Sequence, residues 1–292
     1  MTARRRLVKV PASSANLGPG YDVLGAALAM HLELEVEEAG SFSVEAGDLG
    51  VPLDRSNLCV RAFESLRPAD GIAFRIRSEI PLAAGLGSSA AAILAGLLAA
   101  DHLYELAQEP EDVLARAAKL EGHPDNVAAA LYGGFVLCAD QGGTLTATRL
   151  DPPQGVEAVV VIPGEQVTTQ EARAAMPEQV PLEDAVSNVA AASELVLGIQ
   201  RSDLTLIGRG LADRLHQPHR AKLYPRSMEI VAEAPRMGAI GATISGAGPT
   251  VLVWTFWQST GDVMKALTER VGDWAEVRRV PFSPMGADVP EL

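Results

Sequence analysis

Two glycine-rich segments, and the polar residues between them, are the parts of this sequence that could do chemistry. The first glycine segment, PLAAGLGSSAAA at residues 81–92, runs directly into an apolar, alanine-rich stretch. Gly85 and Gly87 permit a tight turn and a close backbone approach to a ligand, while Ser88 and Ser89 fit a helix N-cap. Because a helix N-terminus carries partial positive charge and free amide donors, the segment predicts a phosphate site. An ordinary capped helix after a turn is an equal alternative.

Two well-known nucleotide loops do not fit this segment. The dinucleotide fingerprint is matched only formally, because the strand before it, residues 72–77, alternates apolar and polar side chains. That alternation predicts a half-exposed antiparallel strand, whereas the fingerprint follows a buried parallel one. The P-loop ends in Gly-Lys-Ser/Thr, and no lysine lies between Lys9 and Lys119.

Five polar residues elsewhere could reach a cleft, although each has an ordinary structural interpretation. Asn16 and Asp22 lie in a glycine-rich turn, where both residue types are common. Asn57 fits the N-cap of a predicted helix. Arg173 and Arg220 are, on composition alone, expected to be solvated surface arginines.

A further polar cluster follows the predicted helix at residues 110–121. Glu121 ends that helix, where the helix dipole disfavours a carboxylate. Some other interaction, such as a bound cation, is therefore indicated at this position. His123, Asp125 and Asn126 then begin a second short helix. Capping explains one of these polar groups but hardly all three, and no histidine with metal-ligand spacing accompanies His123.

Composition limits the function further. The chain has 292 residues, 48% of them hydrophobic, with a net charge of −13 and a pI near 4.9. This balance predicts a soluble globular protein and opposes binding to nucleic acid or anionic membranes. Cys59 and Cys138 lie in apolar segments and are expected to be buried, reduced thiols. The longest apolar run, residues 90–100, is too short to span a bilayer. We therefore predict a cytoplasmic small-molecule enzyme.

The order of the predicted elements indicates an α+β fold with two domains. Helices and alternating strands follow one another in mixed order, which favours mixed or antiparallel sheets with helices packed on one face. Prolines cluster at residues 151–155, so we place the domains at 1–152 and 153–292. The second glycine segment, ISGAGPT at residues 244–250, lies between two predicted strands and fits a hairpin turn.

Three separated motifs together resemble the superfamily of galactokinase, homoserine kinase, mevalonate kinase and phosphomevalonate kinase (GHMP kinases). They are PASSANLGPGYDVLG at residues 11–25 and the two glycine segments, so the resemblance spans nearly the whole chain. EGHPDNVAAALYGG at residues 121–134 and TTQEAR at residues 168–173 are most similar to the homoserine kinase branch.

This resemblance implies a GHMP-kinase fold whose N-terminal domain binds ATP, a ferredoxin-like C-terminal domain and an active site in the cleft between them. It implies transfer of the γ-phosphate to the side-chain hydroxyl of L-homoserine, in threonine biosynthesis. Mg²⁺ would be bound by Ser89 and Glu121, since Mg²⁺ prefers oxygen ligands. The implied ATP-binding residues are Asn57 near the adenine and Pro81, Leu82, Ala83, Ala84, Gly85, Leu86, Gly87, Ser88, Ser89, Ala90 and Ala91 along the phosphates.

The resemblance also assigns the amino-acid site. Asp22 would bind the ammonium group, and Arg173 and Arg220 the carboxylate, because the planar guanidinium suits a carboxylate. The residues implied near the reactive end of the substrate are His123, Asn16, Asp125 and Asn126, the last three as catalytic residues. The mevalonate branch places an aspartate and a lysine near the acceptor hydroxyl, and no equivalent lysine is evident here. We therefore hypothesise that no strong general base acts and that the hydroxyl loses its proton late.

Two alternatives stay open at this point. The same fold could phosphorylate another hydroxylated metabolite, such as mevalonate, a sugar or shikimate, or it could be a non-catalytic ligand sensor. An acceptor without an α-amino group would leave Asp22 without a cationic partner, which costs a few kcal/mol in a dry site. The oligomeric state is also open, with a homodimer among the alternatives.

Overall fold

Two open β-sheets divide the chain in sequence order. The computed structural model describes residues 3–290. Within that range the first sheet contains β1 (Arg5–Ala15), β2 (Leu24–Glu38), β3 (Ser43–Glu45), β4 (Ile72–Ser78), β5 (Phe135–Gln141) and β6 (Thr144–Leu150). The second sheet contains β7 (Val156–Pro163), β8 (Gly241–Ile244), β9 (Val251–Phe256) and β10 (Ala275–Arg279).

The first sheet has the order β3-β4-β2-β5-β6, with β1 paired to β2, and the second has the order β10-β7-β9-β8. The pairings are antiparallel except for the parallel pair β3 and β4. In β2 the side chains of Leu32, Leu34 and Val36 are buried, while Glu35 points outward and forms an ion pair with Arg75 of β4. The alternation in the sequence of β2 therefore corresponds to one buried and one solvent-exposed face. The predicted α+β class with mixed sheets is confirmed.

The helices pack against these sheets. They are α1 (Leu58–Glu64), α2 (Ser88–Tyr104), α3 (Pro110–Glu121), α4 (Asp125–Tyr132), α5 (Thr169–Ala174), α6 (Leu182–Arg201), α7 (Leu204–Gly210), α8 (Gln217–Arg220), α9 (Pro225–Glu233) and α10 (Thr260–Val271).

Helix α2 is apolar on all sides because it is enclosed by protein. It contacts β1, β2, α1 and α3, and its residues from Ala90 to Ala100 are buried. A Cβ on Gly96 would lie 2.1 Å from the carbonyl oxygen of Cys59, so α1 and α2 are in backbone contact there. Cys59 and Cys138 are buried free thiols as predicted, and burial raises the pKa of each to about 12. None of the helices in the described part of the chain combines the length and the apolar character that crossing a membrane requires.

The end of the chain returns to the first sheet. β6 ends at Leu150 and β7 begins at Val156, on either side of the predicted boundary, which stays a prediction. After β10, the amide of Ser283 donates to the carbonyl of Ala27 at 2.8 Å, and Lys9 and Asp288 exchange backbone hydrogen bonds. The C-terminal segment is therefore held by the sheet in which the chain began.

Aromatic side chains join the two sheets. The ring centroids of Phe135 in β5 and Trp254 in β9 are 5.5 Å apart. Phe282, in the returning segment, lies 4.7 Å from Phe135 and 5.1 Å from Trp254. One hydrophobic cluster consequently includes residues of both sheets.

Candidate active site

The first glycine segment turns into helix α2 without a side-chain cap. The N-cap residue is Gly87, in the left-handed conformation with a φ of 71°, and Ser88 and Ser89 are the first two helical residues. The prediction that the serine hydroxyls cap this helix is therefore wrong. The chain needs a positive φ at the N-cap, which glycine adopts without strain, and the hydroxyls are left for other partners. Because no side chain caps the first turn, its amides can serve a ligand.

Close packing between loops explains the glycines. A Cβ on Gly85 would lie 2.3 Å from the carbonyl oxygen of Ser245, and one on Gly87 would lie 2.1 Å from Ser13 Oγ. Hydrogen bonds join the same segments: Ser245 Oγ donates to the Gly85 carbonyl at 2.6 Å, and the amide of Ser13 donates to the Leu86 carbonyl at 3.1 Å. The N-terminal turn and both glycine segments therefore form one wall.

Asn16 connects two of these loops. It is buried, with a φ of 69°, as in the tight turn expected for an asparagine. Its Nδ2 donates to the carbonyl of Gly246 at 2.8 Å, and its Oδ1 accepts from the amide of Asp22 at 3.0 Å. Both ends of the side-chain amide thus support the cleft wall.

A cleft of about 310 Å³ lies between the loops. Of the residues proposed from the sequence, those that line it are Asn16, Asp22, Ala83, Gly85, Gly87, Ser88, Ser89, Glu121, His123, Asp125, Asn126, Arg173 and Arg220. Tyr21 also lines it and was missed; an aromatic residue within a turn of small residues was the available signal. The proposed residues whose side chains pack in the hydrophobic core are Ala84, Leu86, Ala90 and Ala91.

Ser89 and Glu121 form one polar pair in the cleft. Ser89 Oγ donates to Glu121 Oε2 at 2.6 Å. Burial raises the pKa of Glu121; the hydrogen bond from Ser89 and the nearby His123 oppose this, and the charge of Asp125 adds to it. A buried carboxylate with a raised pKa, next to a second carboxylate, is a place where a cation is stabilised.

His123 lies between those two carboxylates. Its Nδ1 donates to Asp125 Oδ1 at 3.1 Å, and its Nε2 lies 3.8 Å from Glu121 Oε1. Burial opposes protonation, but the hydrogen bond to Asp125 and the charges of both carboxylates outweigh it, so the pKa of His123 is raised. Asp125 Oδ1 also accepts from the amide of Asn126 at 2.7 Å, and Asn126 Oδ1 accepts from Ser13 Oγ at 2.9 Å.

Asp22 and Arg173, which also line the cleft, are paired with each other. The guanidinium donates to both carboxylate oxygens, at 2.9 and 3.1 Å, and also to the hydroxyl of Tyr21 at 3.2 Å. The side chains are 35% exposed for Asp22 and 40% for Arg173, so the pair faces solvent at the cleft mouth.

Arg220 is only 2% exposed, so the composition-based expectation of a solvated surface arginine is wrong for it. The residue lies at the end of α8, which directs its side chain inward between the loops. Its Nε donates to the Ala172 carbonyl at 2.9 Å and one Nη donates to the Tyr21 hydroxyl at 3.3 Å. The guanidinium also stacks 5.1 Å from the centroid of the Tyr21 ring. These acceptors are neutral, so the buried positive charge can bind an anion from the cleft.

A second, mainly apolar cavity of about 200 Å³ adjoins the first glycine segment. It shares Ser88 and Ser89 with the cleft, and Leu82 and Asn57 also line it. Asn57 caps α1 as predicted, because its Oδ1 accepts from the amide of Cys59 at 2.9 Å. Its Nδ2 donates to the Pro52 carbonyl at 2.8 Å, so the amide holds the cavity wall in place. The size and lining of this cavity suit a planar base.

The comparisons with known proteins agree with this geometry. The family model for the N-terminal domain of GHMP kinases matches residues 57–134, and the model for their C-terminal domain matches residues 195–274. The chain is 37% identical to the homoserine kinase of Moorella thermoacetica, over 97% of this chain and 99% of that protein. It is 40% identical to the homoserine kinase of Streptomyces coelicolor, over 97% of this chain and 93% of that protein.

A solved structure gives the same result. The crystal structure of homoserine kinase from Cytophaga hutchinsonii superposes with a TM-score of 0.88 at 30% identity, covering 98% of this chain and 97% of that one. The resemblance seen in the sequence motifs is confirmed. With such identities over nearly the full length of both proteins, this chain belongs to the homoserine kinase family of the GHMP kinases.

Proposed function

We propose that this protein transfers the γ-phosphate of ATP to the side-chain hydroxyl of L-homoserine, giving O-phospho-L-homoserine for threonine biosynthesis. The observation that carries the proposal is the position of Asp22, Arg173 and Arg220, which line the same cleft as the first glycine segment. That arrangement provides charges of both signs for a zwitterion next to a phosphate site. A cytoplasmic location stays a prediction from composition.

ATP fits the two connected cavities. The adenine would occupy the apolar cavity beside Asn57, and the phosphates would extend along the uncapped start of α2. Since Ser88 and Ser89 line both spaces, a nucleotide bound in this way directs its terminal phosphate into the cleft. The amides and the helix dipole then provide the positive potential that a P-loop obtains in part from its lysine.

The side chains of Ser89 and Glu121 fit a Mg²⁺ ion. A hydroxyl and a carboxylate oxygen are hard ligands, and Mg²⁺ is usually bound by one or two carboxylates together with substrate phosphates. When bound, the ion would neutralise charge on the phosphates.

The ion pair between Asp22 and Arg173 suits an α-amino acid. A zwitterion can align its ammonium with the carboxylate of Asp22 and its carboxylate with Arg173, so each charge meets its opposite. Arg220 adds a second, buried guanidinium for the same carboxylate. The side-chain hydroxyl of the substrate is then free to extend toward the terminal phosphate.

The polar residues near the acceptor hydroxyl are engaged in positioning. Asp125 accepts two hydrogen bonds at one oxygen, Asn126 accepts from Ser13 of β1, and Asn16 donates to the carbonyl of Gly246. Despite burial of the ring, the pKa of His123 is raised by its hydrogen bond to Asp125 and by the nearby carboxylates, and its Nδ1 is already engaged with Asp125. These contacts support the hypothesis that orientation and charge carry the reaction and that the proton leaves late.

A coupled assay of ADP release tests the proposal. ATP and Mg²⁺ are supplied with homoserine, mevalonate, galactose or shikimate in parallel, and the product is identified by phosphorus NMR. We expect turnover with homoserine and little with the other acceptors. Asp22→Asn tests the amino-acid site in the same assay. It should raise the KM for homoserine at least tenfold, because it removes the charged partner of the ammonium group. ADP release with another acceptor and none with homoserine would overturn the proposal.

A further inference from the structure

A buried histidine contacts Arg220 on the side away from the cleft. The side chains of His216 and Asp213 are both 0% exposed. Neither residue lines the cleft, so neither touches substrate directly. Their hydrogen bonds nevertheless connect the guanidinium of Arg220 to the N-terminal turn.

The partners of the His216 ring determine its tautomer. A guanidinium has donors only, so His216 Nδ1 accepts from the Arg220 Nη at 3.4 Å. The Gly18 carbonyl is only an acceptor, so the Nε2 that lies 2.8 Å from it carries the hydrogen. The ring is therefore neutral, with its proton on Nε2.

Asp213 and Tyr21 hold this ring in place. Asp213 Oδ2 lies 3.3 Å from His216 Nε2 and accepts from the amide of Gln217 at 2.7 Å, so the carboxylate is itself anchored by backbone. The ring of Tyr21 lies 5.4 Å from that of His216, and its hydroxyl accepts from Arg220. Together with Arg220 and Gly18, four partners thus define the position of one imidazole.

We infer that His216 is a positioning residue, which in its neutral form orients Arg220 toward the carboxylate of the substrate. The inference rests on the proposed function for the identity of that carboxylate. Nδ1 accepts from Nη1, which also contacts the Gly246 carbonyl at 3.5 Å, while Nε and Nη2 donate to Ala172 and Tyr21. These contacts fix the guanidinium where it lines the cleft. A second proton on Nδ1 would place two donors face to face and push the guanidinium away.

The surroundings favour the neutral form. The charged and titratable groups that face the ring are Asp213, Arg220, Asp22 and Tyr21. Burial lowers the pKa of His216; Asp213, Gly18 and Asp22 oppose this and Arg220 adds to it, and the net direction is downward. The imidazole therefore keeps Nδ1 available as an acceptor at neutral pH.

Kinetics of His216→Leu and His216→Gln test this role. Leucine fills similar space but cannot accept a hydrogen bond, so we expect the KM for homoserine to rise about tenfold or more, while kcat and the KM for ATP change less than twofold. Glutamine offers both an acceptor and a donor and should restore the KM to within about threefold of the wild-type value. The matched control is His219→Leu, an exposed residue of α8, the helix that begins directly after His216, and it should behave as wild type.

Three kinetic results would overturn the inference: an unchanged homoserine KM in His216→Leu, an equal rise in both KM values, or a glutamine variant as impaired as leucine. Nitrogen NMR of the wild-type holoenzyme provides a test that does not depend on the substrate, with the His216 signals assigned from the glutamine variant. We expect the neutral Nε2–H tautomer at pH 7.5, and a proton on Nδ1 would contradict it. Should the wild type turn over a different acceptor, the proposed function fails while this tautomer test still decides the inference.

Discussion

Ser89 Oγ and Glu121 Oε2 lie 2.6 Å apart although 32 positions separate the two residues in the chain. One belongs to the first turn of α2 and the other is the last residue of α3. Two helices therefore direct their oxygen atoms to the same point, where the helix dipole of α3 disfavours a carboxylate. The hydrogen bond with Ser89 explains why a carboxylate is kept at the end of α3. A variant of Glu121 can test this explanation.

Glu121→Gln keeps an acceptor for Ser89 and removes only the charge. We expect kcat to fall about a hundredfold, because charge neutralisation at the phosphates depends on this carboxylate. The circular dichroism spectrum and the melting temperature should stay close to those of the wild type. Glu111→Gln, on the exposed side of the first turn of the same helix, is the control and should keep full activity. A Glu121→Gln enzyme with near-normal turnover would refute the metal assignment.

Gly87→Ala should abolish ATP binding by steric conflict. The new Cβ would lie 2.1 Å from Ser13 Oγ at a φ of 71°, so the end of β1 or the start of α2 must shift. Gly47→Ala is the matched control, since its φ of 51° is also positive but no atom lies within 4 Å of the added Cβ. The control should lose about 1 kcal/mol of unfolding free energy from backbone strain alone and keep its ATP affinity. Calorimetric titration with ATP distinguishes the two; equal affinities would show that the contact is unimportant.

Arg220→Lys should raise the KM for homoserine about a hundredfold. A lysine ammonium cannot reproduce the separate bonds of the guanidinium to Ala172 and Tyr21 while also reaching the substrate. We expect a smaller rise for Arg173→Lys, because Arg173 lies at the more exposed cleft mouth. Steady-state kinetics with varied homoserine at saturating ATP measures both. The reverse order would mean that Arg173 is the principal carboxylate ligand.

His216 should make stability fall in acid. Its pKa in the folded protein is lowered from 6.5, so between that lowered value and 6.5 the unfolded chain binds more protons than the folded one. The stabilisation is present above about pH 6.5 and is lost as the pH falls, with a slope of up to about 1.4 kcal/mol per pH unit. Urea unfolding of wild type and His216→Gln from pH 5 to 8 isolates this contribution. Parallel stability curves for the two proteins would contradict the lowered pKa.

Much of the architecture was predictable because local rules act within single segments. The alternation in β2 and the cap at Asn57 depend on neighbouring residues only, and both appear in the structure as predicted. Ser88 and Ser89 show where such rules fail. Both are good capping residues, but contact between Gly87 and the distant Ser13 decided which residue occupies the N-cap.

The residues of the cleft were harder to predict, because their positions depend on contacts between distant parts of the chain. Composition predicts a surface position for Arg220, yet long-range contacts with Ala172 and Tyr21 bury it. His216 gave no signal, because its partners Gly18 and Asp213 are recognisable only once the loops meet. The three sequence motifs predicted the cleft because they occur together in one chain. Their combination indicates a particular three-dimensional arrangement, which no single residue does.

The cluster of Phe135, Trp254 and Phe282 has a consequence for how the protein is made and how it comes apart. The three rings come from the first sheet, the second sheet and the returning segment. Phe282 follows every strand of both sheets in the chain, so this cluster can close only after both sheets have been synthesised. The two halves therefore share part of one hydrophobic core, and we expect heating to melt both in a single transition.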